Sequence, residues 1–93
     1  MNDATNTYKL EILTPDTVVF SGDVVQLSAQ TFTGWLGVMA GHEPMVAACP
    51  TGEVRVEVDG AWKKFQCADF VLTTDGKVAR ILATKVEEEV VNE

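Results

Sequence analysis

Apolar and polar positions alternate in short runs along this chain, and turn formers separate the runs. In Tyr8–Thr14, Tyr8, Leu10 and Ile12 alternate with Lys9 and Glu11, which gives one apolar and one polar face. The stretch Thr14-Pro15-Asp16 is a turn signal. The runs "TVVFSG" and "DVVQLSAQT" follow, with Val25 and Leu27 on one side of the pleat in the second. Farther on, Val54, Val56 and Val58 alternate with Arg55 and Glu57, the cleanest period of two in the sequence.

Two Asp-Gly pairs lie between such runs, Asp59-Gly60 and Asp75-Gly76. Asp-Gly tolerates positive φ at both loop positions, which matches the twist of an antiparallel hairpin. A tight loop at Asp59-Gly60 predicts Val58 opposite Ala61 and Val54 opposite Phe65, with Arg55 beside Lys64 and Glu57 beside Trp62. The same loop at Asp75-Gly76 predicts Leu72 opposite Ala79 and Phe70 opposite Ile81. No stretch before residue 85 keeps a helical period over more than about ten residues. Roughly eight or nine short strands at turn spacing predict an all-β sandwich or barrel with two packed sheets.

Length and charge narrow the reading. The chain has 93 residues, enough for one domain, and a net charge of -7. Six of its seven basic residues follow position 52, interspersed with acids, so a nucleic-acid backbone is not an expected partner. Four of its fourteen acids fall in the last eight residues, "VEEEVVNE", which reads as a solvated tail or as the acidic first turn of a helix. No apolar run approaches the ~20 residues of a membrane helix, and the N-terminus lacks the pattern of a signal peptide, so the protein is expected to be cytosolic. Cys49 and Cys67 fit no metal spacing and read as buried thiols.

A search for chemistry finds none. His42 is the only histidine, so neither a histidine pair for a metal nor an HExxH motif exists. A dyad of His42 with Cys49 or Cys67 has no support in the spacing. The run "GWLGVMAG" lacks the Lys and Ser/Thr of a phosphate-binding loop. No catalytic residue, metal or cofactor is expected.

The stretch Thr31–Met45, "TFTGWLGVMAGHEPM", is unusual in another way. It gathers glycines, a proline and large apolar residues around one charge, Glu43. Leu36 and Val38 share one phase and Trp35 the other. If the first two point inward, Trp35 points outward. Phe32, Trp35 and Met39 then suggest a contact surface, while His42 reads equally well as a structural loop residue.

The segment "VFSGDVVQLSAQTFTGWLGVMAGHEPMVAACPTGEVRV" resembles the N-terminal domain of the epsilon subunit of F-type ATP synthase. The family pattern is "FxGxVxxVxxxxxxGxLGVLPGHxPLxxxLxxGxxxI". Phe20, Ser21, Gly22, Val24, Gly34, Leu36, Gly37, Gly41, His42, Pro44 and Gly52 follow it in order and spacing. The resemblance runs from about Tyr8 to Lys85 and implies a two-sheet antiparallel β-sandwich or flattened barrel of about ten short strands. It divides the chain into an N-terminal tail at 1–7, the sandwich at 8–85 and an acidic tail at 86–93, where the family's helical hairpin would start.

The implied role is that of a non-catalytic central-stalk subunit. It would link the gamma subunit to the membrane c-ring and help couple proton flow to ATP synthesis, as a peripheral protein on the cytoplasmic face of a bacterial plasma membrane. The resemblance places Thr31, Phe32, Thr33, Gly34 and Trp35 toward the c-ring. Met39, His42, Pro44 and Met45 are the expected gamma contacts. No small-molecule ligand is expected, because the family's nucleotide site goes with the hairpin. The alternative is a free-standing β-sandwich adaptor that uses the same aromatic loop. Two departures stand out. The family's "GG" after the strand matching "FQC" reads Ala68-Asp69 here, and Trp35 stands where many relatives carry a polar or acidic residue.

Overall fold

The computed structural model describes residues 6–89, and every regular element in them is a strand. In chain order the strands are β1 (Tyr8–Thr14), β2 (Thr17–Val24), β3 (Gln26–Thr31), β4 (Gly34–Met39), β5 (Met45–Ala48), β6 (Gly52–Val58), β7 (Ala61–Ala68), β8 (Val71–Thr74), β9 (Val78–Leu82) and β10 (Lys85–Glu89). They form two five-stranded sheets, one in the order β2-β1-β9-β8-β5 and the other β10-β7-β6-β3-β4. The two-layer β-sandwich expected from the alternation is therefore present.

The core is the sum of the inward phases. Leu10, Ile12, Val24, Leu72, Ala79 and Ile81 of the first sheet meet Leu27, Val38, Val54, Val56, Phe65 and Cys67 of the second, all without solvent exposure beyond 1%. Phe20 meets Phe65 edge-to-face across the layers, with centroids 6.1 Å apart. Tyr8 in β1 donates its hydroxyl to the carbonyl of Val38 in β4 at 2.7 Å, a polar stitch between the sheets. Burial holds the Tyr8 hydroxyl in its neutral form to well above the usual pH. Cys49 and Cys67 are buried free thiols, and burial pushes Cys67 up to about 12.

The first Asp-Gly hairpin has the predicted register. Val58 pairs with Ala61, Val54 with Phe65, Arg55 with Lys64 and Glu57 with Trp62. Asp59 and Gly60 have φ of 53° and 78°, as a tight primed turn requires. The second hairpin differs from expectation. Leu72 pairs with Ile81 and Thr74 with Ala79, a shift of two residues. Here only Gly76 has positive φ, at 96°. The Asp75 carboxylate accepts from the amides of Lys77 and Val78 at 2.8 and 2.9 Å and holds open a wider loop. A shift of two preserves the faces, so Leu72, Ala79 and Ile81 remain in the core.

Three further expectations are corrected. The sandwich is not wholly antiparallel, because β1 and β9 run parallel with Ile12 beside Ile81. The run "DVVQLSAQT" is not one strand: Val24 ends β2 in the first sheet and Gln26 opens β3 in the second. Residues 86–89 are neither a solvated tail nor a helical turn. They belong to β10, where Val86 pairs with Cys67 and Glu88 with Phe65. The rest of that segment, 90–93, and most of the N-terminal tail lie outside the described residues.

Candidate functional site

The stretch Thr31–Met45 winds around one edge of the sandwich. β4 is the edge strand of the second sheet and β5 the edge strand of the first, so the connection from Ala40 to Pro44 crosses between layers. β3 and β4 are joined through Phe32 and Thr33, with Thr31 opposite Gly34. The Thr31 hydroxyl donates to the Gly34 carbonyl at 2.7 Å and accepts from the Thr33 amide at 3.2 Å. Gly34 sits at φ 120°, where a side chain would be strained. This tight turn leaves Phe32 at the tip, 74% exposed.

The residues expected to face a ring do not form one surface. Thr31, Phe32, Thr33 and Gly34 build the projecting turn. Trp35 folds back along the outer face of the second sheet, 49% exposed, and its ring lies 4.8 Å from the Arg55 guanidinium carbon. It points outward, opposite in phase to Val38, as the alternation predicted.

The expected gamma contacts also spread around a corner. Met39 stands on the outer face of the second sheet. His42 belongs to the crossover, where its amide donates to the Met39 carbonyl at 3.1 Å and Nδ1 donates to the Glu43 carbonyl at 2.8 Å. Its own carbonyl lies against the second Asp-Gly turn, 3.1 Å from where a side chain on Gly76 would begin. Gly41, at φ 81°, donates its amide to the Gly76 carbonyl in the same contact. These bonds support the structural reading of His42. Pro44 is exposed, while Met45 is half-buried opposite Thr74.

One surface escaped the sequence reading. Ala48 pairs with Val71, Val71 with Leu82, Leu82 with Leu13 and Leu13 with Val18. Together they make an unbroken apolar row across all five strands of the first sheet, on its outer face. Val18 is 63% and Leu82 45% exposed. The adjacent row carries Arg80, which donates to Glu11 at 2.8 Å. A shallow cavity of about 270 Å³ lies beside the Leu82–Leu13 part of the apolar row, between Leu13, Pro15, Leu82 and Thr84. The local signal was present in "KVARILAT", where Leu82 is out of phase with Ala79 and Ile81. The row itself exists only once β1 and β9 pair.

Among the described residues, no group of three or more His, Cys, Asp or Glu side chains could hold a metal ion. Both thiols are buried and held protonated.

The surfaces gain meaning from comparison with known proteins. A model of the ATP synthase delta/epsilon chain β-sandwich domain matches residues 7–89. The chain belongs to that family. The ATP synthase epsilon chain of Ruminococcus albus is 32% identical over 81 residues, covering 86% of this chain and 60% of that protein. The ATP synthase epsilon chain of Staphylococcus aureus strain Newman is 41% identical over 81 residues, covering 85% and 60%. The chain thus spans three-fifths of the length of these relatives. A mitochondrial ATP synthase from Euglena gracilis, solved with its OSCP, F1 and c-ring parts, contains a chain that superposes with a TM-score of 0.83 at 22% identity. The match covers 95% of this chain and 56% of that one. The central stalk and c-ring of the Tetrahymena thermophila mitochondrial enzyme gives 0.74 at 11% identity, covering 91% and 69%. Both likenesses show the fold.

Membership in the delta/epsilon family makes physical sense of its glycine pattern here. Gly34 and Gly41 of the "GxLG…GHxP" motif both occupy positive φ. At the departure from the family's "GG", Asp69 adopts φ 44°, so a non-glycine residue carries the left-handed conformation.

Proposed function

We propose that this chain is the β-sandwich part of a non-catalytic central-stalk subunit of an ATP synthase. Its first sheet docks the gamma subunit, and the Phe32 turn touches the c-ring. The observation that carries the proposal is the apolar row from Ala48 to Val18, left open on a sandwich whose core is already complete. A monomer gains nothing from such a row, whereas an interface between rigid neighbours does. The edge residues Pro44 and Met45 continue this surface around the corner, beside a groove of about 390 Å³ shared with Val46 and Arg80. The Phe32 turn, between β3 and β4 of the second sheet, supplies a second contact. Two packed sheets resist shear, which suits a part that must pass torque between partners.

Among the described residues no helix is long and apolar enough to cross a membrane. In this reading the chain is held at the cytoplasmic face of a bacterial plasma membrane by its partners. The relatives named as ATP synthase epsilon chains support the assignment. A tagged chain used as bait in native membranes tests it. Recovery of gamma and c subunits supports the stalk role. Recovery of neither, with some other protein bound, supports a free-standing adaptor instead.

A further inference from the structure

Gly37 is a glycine that the chain's own fold does not require. It lies within β4 in an unbroken register with β3, so it marks no bulge. It does not take a positive φ, and a Cβ built on it meets nothing within 4 Å. Glycine inside a strand weakens it. Where no bulge or bend explains it, such a glycine marks the close approach of another backbone.

β4 offers the open edge that such a backbone needs. Among the described residues it pairs with β3 alone. Thr31 and Gly34 close the two-residue turn and exchange their backbone bonds. The alternation of the ladder then turns the amides and carbonyls of Trp35, Gly37 and Met39 to the open side. This edge is also unguarded. From Val24 to Gly52 the chain carries one charge, Glu43, and that lies in the crossover beyond β4. The opposite edge strand of the same sheet, β10, carries Lys85, Glu87, Glu88 and Glu89. Charges on an edge discourage pairing between sheets, and β4 has none.

We propose that β4 pairs antiparallel with β4 of a second copy of this chain, about a twofold axis at Gly37. The pattern of the strand selects this occupant. Its outward residues read large, bare, large: Trp35, Gly37, Met39. With Gly37 opposite Gly37, Trp35 of each copy falls opposite Met39 of the other, at Cβ separations of about 4.5–5.5 Å. The inward residues match in the same register, with Leu36 opposite Val38. The Gly37 pair and both Trp35–Met39 pairs are hydrogen-bonded ones, because these residues carry the open backbone groups. Two five-stranded sheets thus join into one of ten, with a charged β10 at each end, so assembly stops at two copies. The net charge of -7 on each copy opposes the pair only from a distance, so salt strengthens it. This inference concerns the chain by itself and is independent of the gamma and c-ring assignments.

Sedimentation equilibrium of the chain tests it. The expected result is a monomer–dimer equilibrium that salt shifts toward dimer. Position 37 faces itself across the axis, so Gly37→Glu and Gly37→Lys each raise the dissociation constant tenfold or more, on the order of a like-charge contact. An equimolar mixture of the two variants restores the dimer. The open space over Gly37 and its ordinary φ allow both variants to fold, which cooperative melts check. Hydrogen exchange on the unaltered chain gives a second reading. Raising its concentration slows exchange of the Trp35, Gly37 and Met39 amides. A chain that stays monomeric up to about 1 mM overturns the proposal. So do variants that both dimerise like the unaltered chain, a mixture that stays monomeric, or dimers in which those three amides exchange as in the monomer.

Discussion

The guanidinium carbon of Arg55 lies 4.8 Å from the centre of the Trp35 ring, although β3 separates their strands. The contact spans β3 where its outward residues are Ser28 and Gln30, beside the bare surface of Gly37. It ties the start of the Thr31–Met45 stretch to the centre of the second sheet.

That contact is expected to be modest, because both groups are about half exposed. In a double-mutant cycle with Trp35→Leu and Arg55→Ala, urea unfolding should give a coupling of about 0.5–1 kcal/mol. Trp35→Ala alone should keep a cooperative melt while lowering ATP-driven proton pumping in reconstituted vesicles. Full pumping in that variant would remove Trp35 from the contact surface.

Gly52 is a second point of sensitivity. A Cβ there would sit 2.9 Å from Gln30 Oε1 and 3.1 Å from Gln30 Cβ. The same oxygen accepts the Glu53 amide at 2.6 Å, where the β3–β6 pairing gives out. Gly52→Ala should cost about 1–2 kcal/mol by displacing Gln30 and releasing that amide. Denaturant unfolding and faster hydrogen exchange at Glu53 would measure it.

Asp69 holds φ 44° without being glycine. Asp69→Gly should therefore leave stability unchanged or raise it slightly. Asp69→Val should lower it by about 1–2 kcal/mol, because a β-branched side chain is strained in the left-handed region. Thermal melts of the two variants should move apart in that order.

The buried thiol predicts an alkaline limit. The Cys67 thiol is raised to about 12 in the fold, against about 8.5 in an unfolded chain. A raised folded value means that the protonated form is favoured in the fold. Its contribution is complete below pH ~8.5 and is lost as pH climbs toward 12. Tyr8 adds to the loss above pH ~10, by the same sign. Urea midpoints should be level from pH 7 to 8 and fall at pH 9 and 10.5. The fall should shrink in Cys67→Ala, even though its plateau is lower.

Much of this fold could be read from the alternation because each inward phase is a local property. The register of the first Asp-Gly hairpin was legible for the same reason: both loop residues take positive φ. The second was not, because the Asp75 carboxylate bonds two following amides and widens a loop with the same two letters. The parallel β1–β9 pair and the switch at Val25 depend on distant segments, so no local pattern marks them. The site divides along the same line. The outward direction of Trp35, which Met39 shares, followed from phase, whereas Phe32 is exposed because it sits at the tip of the β3–β4 turn. The apolar row needs all five strands of the first sheet side by side before it exists.

The central claim is that two separate surfaces of one rigid sandwich meet two different partners. Site-specific photo-crosslinking in native membranes tests it most directly, with the probe at position 32 in one variant and position 82 in another. The account predicts that the first probe captures the c subunit and the second captures gamma. Capture of the same partner from both positions, or of neither subunit from either, would contradict it.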